Sequence, residues 1–145
     1  MAFLGDRLAV KKYLDVAQVL FVVLEPDERI GMINQAGCAL LGFTEADLLG
    51  KNWFESCLPV LHREDARVVF RRLLRGDSAS CEYYENSVLT RKGEERMISW
   101  HNALLRDPSG SSLGTISSGL DMTDHRKAES EQSRLLEIVS SRERL

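Results

Sequence analysis

The sequence predicts an α+β fold in the order β-β-α-α-α-α-β-β-β, with one further helix at each end, on three observations. Two short apolar runs, Leu20 to Leu24 and Arg29 to Ile33, flank Pro26-Asp27-Glu28, which is hairpin turn chemistry. Three longer strand-like runs between residues 81 and 122 are joined by Arg91-Lys92-Gly93 and Asp107-Pro108-Ser109-Gly110, both strong turn signals. Between these two groups the apolar residues recur at helical spacing in short pieces.

Taken in order, Asp6 can cap a helix running to about Gln18, with Leu8, Val10, Leu14 and Ala17 as its apolar stripe. After the hairpin, Asn34 ends the second strand and can cap a helix carrying Ala36, Ala39, Leu40 and Leu41, which Gly42 stops. Thr44 and Asp47 stand at capping-box spacing for a turn of helix that Gly50 ends. Residues 52–58 form another short helix, stopped by Pro59. A longer helix over about 62–75 places Ala66, Val69, Phe70, Leu73 and Leu74 on one face, with Glu64 and Asp65 in the first turn where the helix dipole favours them. Gly76-Asp77 closes it. The strands over 81–90, 96–106 and 112–122 then make an antiparallel meander.

From Thr123 the pattern changes. Asp124 can serve in a cap, and Ala128, Leu135, Ile138 or Val139 and Leu145 approach a heptad among mixed charges. A helix this polar has little to bury except against a twin, so a coiled-coil linker is expected. The chain therefore divides into an N-terminal flanking helix (1–19), a central domain (20–122) and a C-terminal signalling helix (123–145).

Composition narrows the function. A hydrophobic content of 43% over 145 residues supports a real core. The net charge of -3 lacks the basic excess of a nucleic-acid binder, so no nucleic-acid partner is expected. Three cysteines, Cys38, Cys57 and Cys81, are widely spaced and show no C-x-x-C pairing, which argues against a disulfide framework or a zinc site. All three are read as buried small hydrophobes in a reducing cytosol. No apolar run approaches the ~20 residues of a membrane span, so a cytoplasmic location without direct membrane contact is expected.

Six phrases stand in order: Ile33-Asn34-Gln35-Ala36-Gly37, Leu41-Gly42-Phe43-Thr44-Glu45, Leu49-Gly50-Lys51-Asn52-Trp53, Arg91-Lys92-Gly93-Glu94, Leu105-Arg106-Asp107-Pro108-Ser109-Gly110 and Gly119-Leu120-Asp121-Met122-Thr123-Asp124. Together they resemble a PAS domain with its C-terminal PAC segment, as found in bacterial sensor histidine kinases and diguanylate cyclases. The resemblance covers residues 20 to 122 and implies a five-stranded antiparallel sheet with short helices on one face. The last phrase is similar to the Asp-Ile-Thr junction that hands over to a signalling helix, with Met122 in place of Ile. It marks Asp121, Met122 and Thr123 as the relay.

The same resemblance bears on cofactors. Where light-sensing flavin domains carry Asn followed by a reactive cysteine, this chain has Asn52-Trp53, and Val88, Ile98 and Gly119 stand where that group has amides. Where haem-binding members carry a histidine on the long helix, this chain has Asp65, with His62 at or before the helix start. A covalently reactive flavin and haem are therefore not expected, and the cofactor stays unassigned.

The same count, from the Arg91-Lys92-Gly93 turn and the Leu120-Asp121 pair, then assigns the inward face by strand alternation. Tyr84, Asn86 and Val88 share it with Ile98, Trp100 and Asn102, and with Thr115, Ser117 and Gly119; His101 faces outward. This set is polar for a core, and an unpaired buried polar group costs about 1–3 kcal/mol. The groups satisfy one another, or water, or a small polar ligand. Candidate ligand-binding residues are Asn86, Trp100, Asn102, Ser117 and Tyr84, with Trp53 and Asn34 secondary and Asn34 also explained as a helix cap.

The expected function is a cytoplasmic sensory module of a bacterial signal-transduction protein of the two-component or cyclic-dinucleotide type. It forms a homodimer, binds a small molecule between sheet and helices, and relays its state to an output domain beyond the C-terminal helix. The alternative is a ligand-free dimerisation and relay module. Catalysis is not expected: Cys57 with His62, or Cys81 with His101, lacks a motif and an orienting third group.

Overall fold

A computed structural model describes residues 11–13, 15–16, 18–77 and 79–143. The opening hairpin forms as β1 (Leu20–Leu24) and β2 (Ile30–Ile33), and the meander as β3 (Tyr83–Leu89), β4 (Glu95–Arg106) and β5 (Ser112–Asp121). All pairings are antiparallel and give one five-stranded sheet in the order β2-β1-β5-β4-β3. The chain thus lays its first strand beside its last, a closure no local signal specifies. Gly114 permits it: its φ is +129, and a Cβ there would stand 2.0 Å from the Leu24 carbonyl oxygen of β1.

The intervening helices are α1 (Gln35–Leu41), α2 (Glu45–Leu48), α3 (Trp53–Cys57) and α4 (Arg63–Leu74), with a 3-10 turn over Val60–His62 before the last. The long helix therefore begins at Arg63, and His62 belongs to the turn rather than to the helix. Capping is as the spacing predicts. The Asn34 side chain accepts from Gly37 N–H, Thr44 and Asp47 form a complete capping box, and Asn52 accepts from the Phe54 and Glu55 N–H groups.

The core fills the space between these helices and one sheet face. Leu20, Val22 and Leu24 point inward by alternation and join Ile33, Leu41, Leu48, Leu58, Val88 and Ile98, each no more than 5% exposed. Cys57 and Cys81 are buried, as expected, and burial pushes the Cys57 thiol up to about 12. Cys38 departs from expectation: it lies on the half-buried side of α1 and keeps part of its surface.

The helix expected from Asp6 lies largely outside the described residues; residues 11–13 and 15–16 are helical. Lys11 bonds Glu45 at 2.7 Å, and Asp15 accepts from the Gln35 N–H. At the other end α5 (Thr123–Glu143) runs out from the sheet. Its Leu135, Leu136, Ile138 and Val139 are 42–62% exposed. Among the described residues no helix is long and apolar enough to cross a membrane.

Candidate functional site

The inward residues of the meander meet in rows. Tyr84 of β3 stands opposite Trp100 of β4, which stands opposite Gly119 of β5; Asn86 pairs with Ile98, and Asn102 pairs with Ser117. Above them α3 contributes Trp53 and Phe54, and α4 contributes Ala66, Val69, Phe70 and Leu73. The space between them is a cavity of about 60 Å³ that also touches Val22, Leu24 and Thr115. Most of its wall is buried. Val69, Tyr84, Asn86 and Asn102 keep partial exposure, which places the open side between α4 and the β3–β4 strands.

The polar groups on this face bond to one another. Trp100 Nε1 donates to Asn86 Oδ1 at 2.7 Å, Asn102 Nδ2 donates to the Cys81 carbonyl at 3.0 Å, and Ser117 Oγ donates to Asn102 Oδ1 at 2.6 Å. Trp53 meets Trp100 edge to face with ring centroids 5.8 Å apart. Gly119 gives the Trp100 ring its bed: a Cβ there would lie 2.7 Å from Trp100 Cζ3 and 2.7 Å from Ile98 Cγ2. Burial, assisted by the charge of Asp65, raises the Tyr84 phenol above its ordinary value, so it stays neutral.

Six of the seven expected ligand residues, Tyr84, Asn86, Trp100, Asn102, Ser117 and Trp53, line this one cavity. Asn34 does not. It is fully buried beneath α1, where its Oδ1 accepts from the Phe21 and Gly37 N–H groups and its Nδ2 donates to the Val19 carbonyl. Its capping explanation is the correct one. Val88 and Ile98 face inward as predicted but pack in the closed core rather than on the cavity wall. His101 is exposed, stacked on Tyr83 and bonded to Glu82, while His62 lies at the surface 3.9 Å from Glu95. Asp65 is exposed on the first turn of α4. Among the described residues no group of three His, Cys, Asp or Glu is placed to hold a metal ion.

The β5–α5 junction is tightly bonded. Met122 N–H donates to the Met97 carbonyl at 2.7 Å, and Met97 N–H donates to Thr123 Oγ1 at 2.8 Å. Asp121 accepts from both the N–H and the hydroxyl of Thr123 and pairs with Arg96 at 2.8 Å. Burial would raise the Asp121 carboxyl, but the bonds from Thr123 and the Arg96 charge outweigh it and hold the carboxyl below its ordinary value. The group that accepts the first helical N–H is thus Asp121 rather than Asp124, which sits in the first turn. Arg126 ties the same turn to Glu85 of β3.

Of the helix-side wall, only Trp53 was among the residues expected from the sequence. The apolar stripe of α4 was the available signal, since Ala66, Val69, Phe70 and Leu73 are its inward face. The clamp that holds α3 down carried no pattern at all: Glu28, at φ +75, accepts from Asn52 Nδ2 at 3.0 Å and from Arg67 Nε at 3.2 Å, while Arg67 lies over the Phe54 ring.

Comparison with known proteins agrees with this architecture. Residues 14–127 match the family described as the PAS fold. No curated protein matches the sequence significantly. Among solved structures, an RNA-binding light-oxygen-voltage receptor superposes with a TM-score of 0.67 at 19% identity, over 97% of this chain and 39% of its own. A sensory box histidine kinase/response regulator from Burkholderia thailandensis gives 0.63 at 16% identity, over 94% and 98%. VqmA bound to DPO gives 0.62 at 18% identity, over 82% and 58%. The chain therefore spans about two fifths of the first of these solved chains and nearly all of the second. With a family match over most of its length and the five-stranded sheet, helical cover and strand-to-helix junction described above, this chain belongs to the PAS family of regulatory sensor domains.

Proposed function

We propose that the domain binds a small molecule in the cavity between sheet and helices and passes its state through Asp121, Met122 and Thr123 into α5. The observation that carries this reading is that one strand serves both ends. β4 supplies Trp100 and Asn102 to the cavity, and its Arg96 and Met97 bond Asp121, Met122 and Thr123 at the root of α5. A ligand shifts the helix only through different affinities for two arrangements of the domain, so it must contact elements coupled to the helix; β4 touches both the cavity and the root of α5. The solved VqmA structure, which holds DPO, supports a small-molecule role, and the Burkholderia sensory box kinase supports a kinase-type parent.

The parent protein is then a cytoplasmic homodimer with a histidine kinase or diguanylate cyclase/phosphodiesterase output beyond α5, and this segment is not itself catalytic. The net charge of -3 supports a role without nucleic acid.

A ligand-free relay is the second reading, favoured by the size of the cavity. At about 60 Å³ it falls well below the ~300–1,000 Å³ of drug-sized ligand sites. Native mass spectrometry and an absorbance scan of the purified chain separate the two. A dimer carrying extra mass that Asn102→Leu abolishes supports sensing. A colourless dimer without added mass, in which Asn102→Leu alters nothing but stability, supports the relay.

A further inference from the structure

We infer that the cavity selects a small uncharged molecule presenting a carbonyl-type hydrogen-bond acceptor to the amide nitrogen of Asn86; this rests on the ligand-binding reading above. The indole of Trp100 can only donate. Its Nε1 lies 2.7 Å from Asn86, so the oxygen of that carboxamide must face it and the NH₂ must point away. No described group accepts from Asn86 Nδ2. Among the described residues every side-chain nitrogen or oxygen sealed from solvent has a partner, so this NH₂ opens onto accessible space.

The other carboxamide is spent in the opposite sense. Asn102 Nδ2 faces the Cys81 carbonyl, which can only accept, so Oδ1 must take the Ser117 proton. The carboxamide left with an unengaged NH₂ for a guest is therefore that of Asn86; the Tyr84 and Thr115 hydroxyls of the same wall, without a partner among the described residues, can donate alongside it.

Charge excludes the alternatives. Among the described residues no Lys, Arg, His, Asp or Glu lines the cavity, so a buried ion of either sign would be desolvated without a counter-charge, a penalty of several kcal/mol. The charge of Asp65, outside the cavity but felt at Tyr84, disfavours an anion further. A cation would meet the donating face of Asn86. Size sets the scale: at about 60 Å³ the cavity is a fraction of a drug-sized site, so the guest is small.

Acetamide, acetate and acetamidinium share one shape and differ in charge. Each is titrated into the ¹⁵N-labelled full chain while the two tryptophan indole N–H signals are followed, assigned with Trp53→Phe. The expected result is a saturable shift of the Trp100 signal with acetamide, with the two ions binding about tenfold or more weakly. Asn86→Asp keeps an oxygen for Trp100 and removes the N–H donor, so it weakens acetamide by about the same factor while the Trp100 signal persists. Should that variant not fold, the ranking of the three probes on the unmodified chain decides the question. Acetate or acetamidinium binding as tightly as acetamide, or undiminished acetamide binding by folded Asn86→Asp, overturns the ligand class and leaves a binding cavity standing. No saturable shift with any of the three overturns both.

Discussion

Replacing Gly119 by alanine tests the central packing of the cavity, because the expected sign depends on whether Trp100 can yield. In an unconstrained strand, Gly→Ala stabilises by about 0.4–1 kcal/mol through the unfolded chain. Here the new methyl would lie 2.7 Å from Ile98 Cγ2, 2.7 Å from Trp100 Cζ3 and 2.9 Å from Trp100 Cε3. Ile98 is fully buried and Trp100 is 6% exposed. The indole is also held by Asn86 and by the edge of Trp53, so it cannot swing aside without losing both contacts. Overpacking of this kind costs about 1–3 kcal/mol, and loss of the indole hydrogen bond adds about 0.5–1.5 kcal/mol. A net destabilisation of about 2 kcal/mol corresponds to a fall in Tm of roughly 4–8 °C for a domain near this size. Urea unfolding followed by tryptophan fluorescence reads the effect directly, with Ser118→Ala, on the outer face opposite His101, as the control expected to stay within about 0.5 kcal/mol. A Gly119→Ala protein as stable as the parent, or more so, would refute the packing argument and show the cavity to be plastic.

Three further outcomes follow from named contacts. Asp121, whose carboxyl is held below its ordinary value, contributes stability that is fully present above its unfolded pKa of about 3.9 and is lost as pH falls through the lower folded value. Asp121→Asn should therefore flatten part of the decline in unfolding free energy between about pH 5 and 3; an unchanged slope would remove Asp121 from the acid response. Replacing Leu135 and Val139, 52% and 51% exposed on α5, by lysine should leave monomer stability within about 0.5 kcal/mol but lower the mass seen by light scattering. An unchanged dimer mass would place the contact elsewhere. Finally, a maleimide at neutral pH should label Cys38 in the native protein and reach Cys57 and Cys81 only on unfolding, since Cys57 is both buried and held as a thiol; native labelling that drops in Cys57→Ala would contradict this.

Much of the architecture was legible because its signals are local. The strand ends were set by Pro26-Asp27-Glu28, Arg91-Lys92-Gly93 and Asp107-Pro108-Ser109-Gly110, and every β-strand formed within two residues of its expected limits. Period-two alternation carried the cavity as well: once one inward residue is assigned on each strand of the meander, the register places Asn86, Trp100, Asn102 and Ser117 on one face. Asn34 shows where this logic stops. Both a cap and a pocket amide fit its position in the chain, and only the burial of its side chain against Phe21 and Val19 decides for the cap.

What the sequence alone determined, then, is the set of elements and the faces of the strands, because turn chemistry, capping and alternation act over a few residues. Tertiary structure decided the rest. That β1 lies beside β5, that the stripe of α4 roofs the cavity, and that Glu28 clamps Asn52 and Arg67 are contacts between residues far apart in the chain. The direction of each carboxamide belongs to the same class. Asn86 and Asn102 are identical in sequence terms, yet one faces an obligate donor and the other an obligate acceptor, so among the described residues the first keeps an unengaged NH₂ while the second is bonded through both its nitrogen and its oxygen.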